Sequence, residues 1–166
     1  MKRVAIDTQI VDRILDTAGA LEEINVAAKR CALVVISNHV VKDELEATPE
    51  PDRRERLLRV YDALPRKDVL TRGGIYGVSK YGMARYGDGS ETGISLSEAR
   101  TQGRGRSRDA LIATTAAGEA DVLVTEDQTL AERVRTSKAK CKVWSFSEFL
   151  SFVRTDGREE TVTQLI

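Results

Sequence analysis

Residues 108–127, RDALIATTAAGEADVLVTED, decide the fold. After Asp109 the segment 107–118 is almost wholly apolar at helical spacing, and a helix that is apolar all round is buried. Gly118 suits its C-terminal end. Residues 121–125 then read as a buried strand, and two carboxylates, Glu126 and Asp127, follow at once. A buried helix feeding a buried strand is half of a parallel α/β unit. Acids at the mouth of such a strand either cap the next helix or belong to a site.

The pattern repeats outward from this segment. Residues 3–6 form a short apolar run ending at Asp7, followed by Ile10, Val11, Ile14, Leu15 and Ala18 at helical spacing. Residues 20–31 read as a second helix, 32–36 as strand two, 38–47 as a helix closed by Pro49, and 50–64 as an amphipathic helix. After the 121–125 strand, 127–136 is predicted helical, 142–145 is a last strand, and Phe146, Phe149, Leu150 and Val153 mark a last helix. The strands are continuous apolar runs alternating with helices. The expectation is an α/β fold, three layers α/β/α around a central, mostly parallel sheet. One domain is expected over 1–153, with a tail at 154–166 that lacks periodicity and frays.

The 166 residues carry 26 basic and 26 acidic side chains, so there is no overall basic signature of a DNA-binding domain. No apolar run approaches the ~18 residues that cross a membrane, and the N-terminus lacks a signal peptide's apolar region. Cys31 and Cys141 precede apolar runs and read as small core residues of a cytoplasmic protein.

Charge is instead concentrated in a Gly/Arg/Tyr-rich insertion at 66–106, a stretch long enough to be functional. Over 66–108, nine basic residues face four acids, an excess of five positive charges. Tyr76, Tyr81 and Tyr86 are interleaved there, either as packing residues or as base-stacking rings. No internal repeat is apparent.

In open parallel sheets, ligands bind at the carboxyl ends of the strands. Asp7 and Asp127 fall there, with Asp109 in the first turn of the buried helix and Glu44 two turns into the helix after strand two. Each has an alternative role, Asp109 as a complement to the helix dipole and Asp127 as a helix cap, with Glu44 and its neighbour Asp43 as solvated helix residues. Gathered together, the four would repel one another unless neutralised. An all-oxygen donor set calls for Mg²⁺ or Mn²⁺, not zinc. The single histidine, His39, reads as a surface residue at a helix start.

The strand ending in Asp7-Thr8, Glu44 within VVKDEL, and RDALIATTAAGEADVLVTED together resemble the PIN-domain nucleases, over residues 3–64 and 107–150. The resemblance implies a PIN-like fold and metal-dependent endoribonuclease action on single-stranded or structured RNA. It carries Asp7, Glu44, Asp109 and Asp127 over as metal-holding, catalytic acids and Thr125 as a polar support, with Glu126 as an outer acid. RNA would be held by Thr125, Lys80, Arg104, Arg106 and Arg108. A homodimer and an antitoxin are the protein partners to consider, and the long insertion counts against the antitoxin. A competing reading is a non-catalytic PIN-like module that binds RNA or protein, through the loop or through Val162, Leu165 and Ile166. A phosphoryl-handling domain is disfavoured: Asp7-Thr8-Gln9 lacks the second acid of an Asp-x-Asp pair, and there is no phosphate-binding Gly-Lys-Ser/Thr loop.

Overall fold

Strand β1 (Lys2–Ile6) lies at the centre of a five-stranded, all-parallel sheet in the computed structural model, which describes residues 1–87, 92–94, 96 and 103–159, with Arg104 and residues 156–159 described by backbone alone. Its neighbours are β2 (Leu33–Ser37) on one side and β4 (Val122–Val124) on the other, and the edges are β3 (Arg66–Asp68) and β5 (Lys142–Trp144). The order is β3-β2-β1-β4-β5. Seven helices among the described residues flank the sheet: α1 (Thr8–Asp16), α2 (Ala20–Lys29), α3 (His39–Glu46), α4 (Pro51–Ala63), α5 (Arg104–Glu119), α6 (Gln128–Arg135) and α7 (Phe146–Glu159). The result is a three-layer α/β/α architecture.

The core follows from the apolar runs. Val4, Val35, Val122, Leu123 and Val124 are 1% exposed or less, and α5 sinks Leu111, Ala113 and Ala116 against them. Helix α1 packs on α4, α2 on α7, and α5 on α6. Arg53 of α4 clasps Asp12 and Asp16 of α1 at 2.7 and 2.9 Å.

The connections reverse direction at β1. The chain moves from β1 through β2 to β3, then returns across the sheet through α5 to β4 and on to β5. The carboxyl ends of β1 and β4 are the topological switch point of such a sheet, where open α/β folds bind ligands. The pairing of Ile6 with Val124 aligns the two strand ends there.

Several expectations are corrected. Residues 66–68 are not loop but edge strand β3, whose Arg-Lys-Asp composition carries no apolar signal. Arg66 is held over the Tyr61 ring at 4.4 Å and pairs with Asp62 and Asp68. Helix α5 begins at Arg104, ahead of residue 107, and continues through Gly118 to Glu119. Gly118 is therefore not a helix stop. A Cβ there would collide with the Arg72 side chain, which crosses it to reach Glu119 at 2.9 Å. Cys141 is buried, but Cys31 is exposed in a left-handed turn after α2, its N–H donating to Ala28 O at 2.9 Å. Helix α7 runs past Val153 to Glu159, and the remainder of the tail lies outside the described residues. Among the described residues no helix is long and apolar enough to cross a membrane.

Gly118→Ala tests the crossing. Ala favours the helix by about 1 kcal/mol, but its methyl displaces Arg72. We expect faster amide exchange at Thr71 and Arg85 with exchange in β1 and β4 unchanged; equal protection throughout would refute the clasp.

Candidate functional site at the carboxyl ends of β1 and β4

Asp7 is the first residue beyond β1 and is 4% exposed. It is the N-cap of α1, one carboxylate oxygen accepting from the Ile10 N–H at 3.1 Å. Its other oxygen accepts from the Thr125 hydroxyl, one residue beyond β4. The same Thr125 oxygen accepts from the Asp127 N–H at 3.0 Å. Thr125 thus ties the ends of both strands together, which is why a polar residue ends so apolar a run.

Asp127 caps α6, one oxygen accepting from the Thr129 and Leu130 N–H groups at 2.7 and 3.0 Å. The capping role and a place at the cleft coexist. Glu126 reaches the start of α7, where it accepts from the Phe146 N–H at 2.9 Å. Glu44 points back toward the strand ends, accepting from the Thr8 hydroxyl. The pair Thr8–Glu44 mirrors Thr125–Asp7, and Thr8 was not singled out from the sequence. Its signal was available, since a hydroxyl adjoining Asp7 begins a helix at the site.

The four acids share one electrostatic neighbourhood. Burial pushes the Asp7 carboxyl up to about 6, against the hydrogen bonds from Thr125 and Ile10, and the charges of Asp127 and Glu44 push it further. Asp109, half-buried in the second turn of α5, is also raised, first by burial and then by Asp127 and Glu44. Arg133 of α6 opposes this shift. It is a cation that sequence reading passed over, and its guanidinium also donates to Arg106 O at 3.4 Å. Neighbourhood is not yet ligation: among the described residues no group of three or more His, Cys, Asp or Glu side chains is gathered so as to hold a metal ion.

The expected RNA-holding residues divide. Arg106 is exposed and Arg108 half-buried on the first turns of α5, the helix that carries Asp109. The Arg104 side chain lies outside the described residues. Lys80 is ion-paired with Asp43, and its N–H donates to His39 Nε2 at 3.3 Å. His39 is accordingly buried, not a surface residue, and burial lowers its pKa. Thr125, buried and engaged by Asp7 and Asp127, positions acids and does not face a polymer.

A scan of known family models finds no match to this chain, and no curated protein is similar to it in sequence.

The Asp7 shift has a stability consequence. A folded-state pKa of about 6, above the ordinary 3.8, means the folded chain binds this proton more tightly than the unfolded chain does. That contribution is complete below about pH 4 and lost as pH rises through about 6, so ionised Asp7 costs the metal-free fold roughly 2–3 kcal/mol at pH 8. Asp7→Asn keeps the cap without the charge. We expect its thermal midpoint to exceed wild type by several degrees at pH 8 in chelator, with the gain gone near pH 4. An equal gain at both pH values would refute burial as the cause.

Proposed function

We propose that this chain is a PIN-type nuclease, a hydrolase that cleaves RNA phosphodiester bonds internally, with Asp7, Glu44, Asp109 and Asp127 holding Mg²⁺ or Mn²⁺. The observation that carries the reading is that the four carboxylates share one electrostatic neighbourhood near the ends of β1 and β4, with Asp7 and Asp109 raised first by burial and then by the charges of Asp127 and Glu44.

The donor chemistry fits a hard divalent ion. All four groups are carboxylates, and a carboxylate oxygen engaged by one hydroxyl keeps acceptor capacity for a cation. When bound, the ion would lower the pKa of a coordinated water and stabilise charge on the phosphoryl oxygens. Thr125 fixes Asp7, Thr8 fixes Glu44, and the α6 N-terminus fixes Asp127, so three of the acids are oriented before anything binds. Arg106 and Arg108 offer charge to the phosphate backbone beside Asp109. The reaction belongs in a reducing cytoplasm, where an exposed Cys31 stays a free thiol.

A second reading, a non-catalytic RNA- or protein-binding module, is favoured by one observation: among the described residues no three acids are gathered into a ready ligand set. Incubating purified protein with end-labelled RNA in Mn²⁺, Mg²⁺ or chelator separates the two. The nuclease reading expects cleavage only with metal, a loss of at least about a hundredfold in Asp7→Asn, Asp109→Asn and Asp127→Asn, and about ten- to hundredfold in Thr125→Ala, which acts through Asp7. Cleavage that persists in chelator, or is untouched in Asp7→Asn, overturns it. RNA retained without turnover in either metal supports the second reading.

A further inference from the structure

Residues 75–87 read IYGVSKYGMARYG, in which a Tyr-Gly pair recurs every five residues. A five-residue spacing matches neither the helix nor the strand period, so by itself it marks no element. Its meaning comes from the backbone. Gly77, Gly82 and Gly87 have φ of 77°, 74° and 130°, a region that residues with a Cβ avoid. Each tyrosine is therefore followed by a turn that only glycine makes easily. Tyr76, Tyr81 and Tyr86 are 104, 104 and 107% exposed, as open as in an extended peptide.

The segment is nevertheless fastened down. The Thr71 N–H donates to Met83 O at 3.0 Å and the Arg85 N–H to Thr71 O at 2.8 Å. Arg72 and Arg85 both reach Glu119, and Ile75 is buried. A loop that buries Ile75 and Thr71 while leaving three aromatic rings in water presents those rings. As packing residues they would be covered, so that alternative is closed. Tyr81 and Tyr86 rim a hollow of about 470 Å³, within the range of small-ligand sites, together with Lys80 and Arg85. Both cations sit in partly exposed ion pairs, which are weak enough for a phosphate to replace. The Lys80–Asp43 pair joins the loop to α3, the helix that also carries Glu44.

We propose that Tyr76, Tyr81 and Tyr86 form a stacking platform for the unpaired bases of a single RNA strand, with Lys80 and Arg85 receiving its phosphates. The choice of polymer rests on the nuclease reading. A single strand is favoured over a duplex because only unpaired bases have free faces, and over a protein surface because the rings alternate with cations.

Binding of a fluorescein-labelled single-stranded RNA of mixed sequence, and of a hairpin duplex, is measured by anisotropy in chelator, where metal-dependent cleavage cannot proceed. We expect Tyr76→Ala, Tyr81→Ala and Tyr86→Ala each to weaken single-strand binding by about tenfold, and the triple variant by more than about a hundredfold. Tyr81→Phe should bind as wild type, since stacking needs the ring and not the hydroxyl. The duplex should show no such dependence, and thermal midpoints should not move. Unchanged binding by the triple variant, or no single-strand binding by wild type, overturns the platform. So does a triple variant whose only defect is lost self-association in sedimentation, which would mark a surface for a second copy. Asp7→Asn separates the two claims: ring-dependent binding by that variant sustains the platform whatever becomes of cleavage.

Discussion

The hydrogen bond from the Thr125 hydroxyl to the buried Asp7 carboxylate is the contact on which the site depends. It joins residues 118 positions apart in sequence. It exists because β1 and β4, distant along the chain, pair side by side in parallel register. A carboxylate in so apolar a place is costly unless satisfied. Two donors, the Thr125 hydroxyl and the Ile10 N–H, supply part of the compensation, and the rest remains as a raised pKa. The other acids take their positions from the same strand ends: Asp127 through the cap of α6, Glu44 through Thr8, and Asp109 through the buried face of α5.

This arrangement separates charge within a chain that is neutral overall. Asp7, Glu44, Asp109 and Asp127 share one electrostatic neighbourhood, and Arg133 on α6 acts on Asp109 from beside it. Arg133 acts on Asp109 without neutralising it. The cations of the 69–87 loop are each paired with an acid, yet the pairing leaves them at the surface.

Much of the fold was legible because burial is written in composition. The runs at 3–6, 32–36 and 121–125 are apolar without alternation, as strands covered on both faces must be. Strand β3 was invisible for the converse reason: at an edge, Arg66, Lys67 and Asp68 need no apolar partner. Gly118 misled because a glycine late in a helix usually marks its end, whereas here it makes room for a side chain from a loop 46 residues away. Asp7 and Asp127 were legible as acids at strand ends because each directly follows an apolar run, and Asp109 as the acid opening an apolar helix. The direction in which Glu126 turns, the buried contact of His39 with Lys80, and the part played by Thr8 are tertiary facts that no local pattern encodes.

Strand β3 closes one side of the sheet with three charged residues and only a short run of backbone. Joining another sheet there would strip water from Arg66, Lys67 and Asp68 and break the pairs they make with Asp62 and each other. The molecule therefore guards one of its two open rims against strand addition.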